Sequence, residues 1–120
     1  MAWTECTSGQ AIVKAGVNAN STITASGSVL VLWSTEAEGS IDLETGKTIL
    51  SSYASLPAGV QGAVSDICSS KIAMKIIAYD TTGYLSREAD ILLNVNDDII
   101  TKGLAKLKEF TNLKLKSPTT

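Results

Sequence analysis

Between Pro57 and Phe110 the chain carries two long apolar stretches separated by a short polar one, and both repeat at helical spacing. In the first, Val64, Cys68, Ile72 and Ile76 recur every four residues, and Ala63, Ile67, Met74 and Ile77 broaden the stripe. Ala, Met and Lys among the isoleucines fit a pleated surface poorly, which favours helix over strand. The spacing predicts a helix over Ala58–Tyr79, opened by Pro57 at the first helical position. From Ile72 to Tyr79 almost every side chain is apolar and Lys75 is the one charge, the pattern of a helix end buried among other helices. Thr81 and Thr82 are weak helix formers, and Gly83 can close the helix in a left-handed conformation. Asp80 opposes the helix dipole, so it needs either hydrogen bonds from the following loop or a pair with Arg87.

The second stretch starts with Ser86 as an N-cap and places Glu88 and Asp90 in the first turn, where anions are favoured. Its stripe of Ala89, Leu93, Ile100, Leu104 and Leu107, flanked by Leu92, Ile99 and Phe110, predicts a helix over Arg87–Phe110. Asn94, Asn96, Asp97 and Asp98 are poor interior residues; the helix either kinks there or restarts with Asn96 as a cap. Two long amphipathic helices with a short connection must lie antiparallel, as a helical hairpin.

Upstream, Ser8 to Ala15 makes a short helix capped by Ser8 and ended by Gly16, with Ala11, Ile12 and Ala15 inward. Residues 1–7 have no periodicity and read as an N-terminal arm; Asn18 to Ser28 reads as a polar loop. Val29 to Glu44 repeats Leu30, Trp33, Ala37 and Ile41, a helix with Glu36, Glu38, Asp42 and Glu44 on its wet side and Gly46 as terminator. Lys47 to Leu56 connects, with a helical turn around Ile49 to Tyr53. After Phe110 the period changes to two: Leu113 and Leu115 alternate with Lys114 and Lys116, an extended segment too short to make a sheet. The fold class is therefore all-α, a small helical bundle built on the long hairpin. Residues 1–110 form the domain and 111–120 an extended C-terminal tail.

Composition adds a compartment and an asymmetry. With 44% hydrophobic and 18% charged residues the chain is globular, and no apolar run reaches the roughly 20 residues of a membrane span. No basic-then-apolar leader stands at the N-terminus, so synthesis in the cytoplasm is expected. Residues 1–100 hold five basic against eleven acidic side chains, whereas 101–120 hold five lysines against Glu109 alone. A basic end on an acidic body suits head-to-tail association or a separate acidic partner; it also suits a solvated helix end complementing its dipole.

Chemistry is sparse. The absence of histidine removes Ser-His and Cys-His pairs and most zinc sites. Gly39 to Thr48 imitates a phosphate loop, but six residues stand where four belong, and its acids would repel phosphate. Asp80-Thr81-Thr82-Gly83 has one Thr too many for an aspartic-protease turn. Asn94 to Asp98 lacks the glycine and terminal glutamate of a calcium loop. Cys68 reads as a small buried hydrophobe, and the redox state of Cys6 stays open. The basic end lacks arginine and interleaved aromatics and the body is acidic, which argues against a dedicated nucleic-acid binder. No enzymatic activity, no cofactor and no metal are expected.

Two segments, W-x3-A-E-x2-I-D from Trp33 to Asp42 and YDTTGYLSREAD from Tyr79 to Asp90, carry a resemblance. The chain resembles the small head-to-tail connector, or adaptor, proteins of tailed bacteriophages over about Ala11 to Phe110. The resemblance implies a virion protein of the neck that assembles as a ring, commonly of twelve copies, beneath the portal protein. Such a ring extends the DNA channel, lets DNA pass without sequence-specific binding, and offers a surface to the next tail component; no membrane is involved. It further implies that an extended C-terminal segment, here Asn112, Leu113, Lys114, Leu115 and Lys116, grips the portal or a neighbouring copy. Asp80, Gly83 and Arg87 would hold the hairpin turn. The alternative is a small cytosolic helical interaction module or regulator.

Overall fold

The computed structural model describes residues 3–85 and 87–114, with side chains as far as Glu109. The helices are α1 (Ser8–Ala15), α2 (Ser21–Thr24), α3 (Gly27–Thr45), α4 (Ile49–Ser52), α5 (Ala58–Tyr79) and α6 (Glu88–Lys114), with a 3-10 turn at Tyr53–Ser55. Among the described residues there is no strand, and no helix is long and apolar enough to cross a membrane.

Helix α5 is the centre. Its most extensive contact is with α6, and α1 and α3 also pack on it. Val64, Ile67, Cys68, Ile72, Ala73, Ile76 and Ile77 are fully buried, and Ala63 alone of the expected stripe is exposed. Removing each of the larger aliphatic side chains from water stabilises by about 1.5–3 kcal/mol. From α6 come Ile100, Leu104 and Leu107, with Leu92 and Leu93 half-buried beside them. The two helices approach closely at Gly103, where an added Cβ would stand 2.7 Å from Cγ1 of Ile67.

Several local features differ from the sequence pattern. The cap of α1 is Thr7, not Ser8: its hydroxyl accepts from the Gln10 amide (3.2 Å) while the Gln10 side chain accepts from the Thr7 amide (2.8 Å). That reciprocal Thr-x-x-Gln arrangement satisfies two otherwise orphaned donors. The polar loop contains α2, capped by Asn20 and burying Ile23. Pro57 is the N-cap of α5 and not its first residue. Gly46 does end α3 in the left-handed conformation, at φ 69°.

Helix α6 neither breaks nor restarts. Asn96 is buried, and its side-chain amide donates to the Leu92 carbonyl at 2.9 Å, satisfying the polar group within the helix. Nor does the chain become extended after Phe110. Asn112, Leu113 and Lys114 are helical, because Leu and Lys are strong helix formers and a short alternation does not outweigh an established helix. Leu115, Lys116 and the cap expected at Ser86 lie outside the described residues, as does the side chain of Phe110.

Candidate functional site

The residues expected to hold the turn between α5 and α6 sit in a loop knitted to the N-terminal third of the chain. Helix α5 ends at Tyr79, and Asp80 is extended (φ −156°, ψ 110°). One Asp80 carboxylate oxygen accepts from the Thr82 amide (3.0 Å) and hydroxyl (2.6 Å); the other accepts from the Asn20 side-chain amide (2.7 Å). These bonds, led by the Thr82 hydroxyl, hold the carboxyl below its ordinary range. Asp80 makes no pair with Arg87, which is exposed and itself takes the left-handed conformation at φ 68°. Gly83 does not. Its lack of a side chain serves close approach instead, since a Cβ would come to 3.0 Å from the Asn18 carbonyl oxygen. Asn18 donates to Glu88 (2.7 Å), Glu88 accepts from the Leu85 amide (2.8 Å), and the Tyr84 hydroxyl donates to the Ala15 carbonyl (2.8 Å). The segment joining α1 to α2 and the segment joining α5 to α6 thus form one unit.

On this unit and the first turns of α6 four apolar side chains are exposed. Val17 is 97% exposed, Leu85 73%, Ile91 58% and Val95 50%. Ile91 and Val95 are one turn apart and share a face of α6. Gly16 packs against Leu92, which brings the end of α1 beside the start of α6. The C-terminal residues assigned to partner binding are not brought to these side chains by any described contact: Asn112, Leu113 and Lys114 have described backbone only.

The structure also assembles a polar cluster that residue patterning missed. Residues 3–7 lie across α3 and not away from it. The Trp3 amide donates to the Ser34 hydroxyl (2.9 Å), and the Thr4 and Glu5 amides donate to Oε2 of Glu38 (2.7 and 2.8 Å). Glu5 and Cys6 are consequently buried, and Glu38, expected on the wet face, is 1% exposed. Glu38 meets Glu5 and Cys68 with one donor atom from each lying within 4.8 Å of the others. Burial, then the neighbouring charge of Glu38, pushes the Glu5 carboxyl up to about 8. The Cys68 thiol is raised as well, first by its hydrogen bond with Cys6 and then by burial. A signal for Glu38 existed: Ser34, Ala37, Glu38 and Ile41 follow the buried-face spacing, and only the polarity of the residue argued against it.

No protein-family model, curated protein or solved structure matches the chain.

Proposed function

We propose that this chain is a structural subunit of a tailed-phage neck: a head-to-tail connector that forms a ring beneath the portal protein, extends the DNA channel and receives the next tail component. The observation that carries this reading is the exposure of the apolar side chains Val17, Leu85, Ile91 and Val95 on an all-helical body. A lone soluble domain gains nothing from such exposure, whereas a ring subunit buries these side chains against its neighbour. The excess acid of residues 1–100 suits a channel wall, because phosphates passing it meet repulsion and not a lysine clamp. In this reading α5 and α6 act as an antiparallel hairpin that forms the rigid wall of each subunit. The lysine-rich end that includes Asn112 to Lys116 contacts the portal or the adjacent copy. The role is one of assembly and not of catalysis.

Native mass measurement of the full chain, alone and with the portal protein of the same phage, tests the proposal. A closed oligomer, commonly of twelve, is expected with the portal present. Ile91→Asp and Val95→Asp should abolish it while leaving the helical spectrum unchanged, because both side chains are exposed. A chain that stays monomeric beside its portal, or binds it one to one without a ring, would instead be a helical interaction module.

A further inference from the structure

We propose that Glu5, Glu38 and Cys68 bind one divalent ion of the zinc type, which clamps the N-terminal segment onto α3 and α5. Their donor atoms come from three separate stretches of chain and converge within 4.8 Å of one another, with all three residues buried. Both carboxylate oxygens of Glu5 and Oε1 of Glu38 are buried without a hydrogen-bond partner among the described residues. Unpartnered buried acceptors are rare because each forfeits its hydration, and two adjacent carboxylates add mutual repulsion. A divalent cation supplies what all three oxygens lack.

The surroundings favour the same occupant. Oε2 of Glu38 is already held by the Thr4 and Glu5 amides, which orients the carboxylate and leaves Oε1 directed at the cluster. Outer hydrogen bonds of this kind commonly fix metal ligands. One sulfur and two carboxylates suit zinc, whereas calcium and magnesium take oxygen alone. Donor atoms around tetrahedral zinc lie about 3.4–3.6 Å apart, so any contraction of the cluster is at most about 1.4 Å, within reach of side-chain rotation. Binding displaces the Cys68 thiol proton to solvent, and Cys6, the hydrogen-bond partner of that thiol, lies beside the sulfur. This departs from the metal-free expectation, which leaned on the absence of histidine and treated Cys68 as a packing residue.

The test uses the full chain purified under reductant and dialysed against micromolar Zn2+, with elemental analysis for stoichiometry and Co2+ as a spectroscopic probe. One ion per chain is expected, with a sulfur-to-cobalt charge-transfer band and a higher Tm in Zn2+ than in EDTA. Cys68→Ser should remove the band and the zinc-dependent rise in Tm. Glu5→Gln should weaken zinc binding at least about tenfold. The same variant should be about as stable as the parent in EDTA, since Gln keeps the size and shape of the carboxyl, so lost binding cannot be mistaken for unfolding. Asp97→Asn, on the exposed face of α6, should change neither readout. Absence of stoichiometric zinc, or an equal rise in Tm for the parent, Cys68→Ser and Glu5→Gln, would overturn the proposal and leave the two acids sharing a proton.

Discussion

Two glycines in helix interiors provide a paired test of how closely α5 and α6 approach. At Gly39, in α3, an added Cβ meets nothing within 4 Å; at Gly103, in α6, it meets Cγ1 of Ile67 at 2.7 Å and Cδ1 at 3.0 Å. Replacing either glycine by alanine gains about 1 kcal/mol of helix propensity. At Gly39 nothing opposes that gain. At Gly103 the obstacle is a fully buried β-branched side chain on a helix, where one χ1 rotamer is strongly preferred, so Ile67 cannot swing away cheaply. Forcing a methyl into a packed core costs about 1–3 kcal/mol. Gly39→Ala should therefore stabilise by about 1 kcal/mol. Gly103→Ala should range from neutral to about 2 kcal/mol destabilising. Because the propensity gain is common to both, the gap between the variants isolates the packing cost. For a domain of this size each kcal/mol moves Tm by about 3–5 °C, well within the reach of calorimetry. If Gly103→Ala raised Tm as much as Gly39→Ala, the close packing of α6 on α5 would be refuted.

Ile76→Ala should destabilise by about 2–5 kcal/mol in urea unfolding, as a large-to-small change at a fully buried site; a loss under about 1 kcal/mol would show that α5 is not the centre of the core. Asp80 carries a pH signature. Its carboxyl is held below the ordinary value of 3.8, so its contribution to stability is present above that pH and disappears as pH falls through the lower folded value. Acid unfolding of Asp80→Asn should lack this step; identical acid profiles for the two proteins would remove Asp80 from the loop's stabilising contacts.

The helices of the core were legible because their apolar residues recur at helical spacing regardless of what surrounds them: Leu30 to Ile41, Val64 to Ile76 and Ala89 to Leu107 all announce a face. What escaped depended on tertiary context. Glu38 occupies a buried-face position, but its polarity argued for solvent until the Thr4 and Glu5 amides were seen to receive it. Gly83 carries a residue type that usually signals a left-handed turn; here it accommodates the Asn18 carbonyl, a contact made by a segment 65 positions earlier. At the other end, Leu113 and Lys114 belong to a pattern compatible with strand or helix, and only the continuation of α6 as far as Lys114 decides for these two. Pattern reports which residues share a face, whereas the partner that face meets is a property of the folded chain.

The docking of residues 3–7 has a consequence for the order in which the chain is built. The partners of this segment on α3 are made after it, Ser34 and Glu38 lying 31 to 34 positions later, and Cys68, beside Glu5 and Glu38, waits for α5. During synthesis this segment therefore leaves the ribosome well before it can find its place. Until α5 follows it out, Cys6 and Glu5 face solvent, and a thiol that the finished protein encloses is open to oxidants, labels or ions. The nascent chain and the mature one thus present different chemistry at the same cysteine, and closure of the N-terminal segment marks the passage from one to the other.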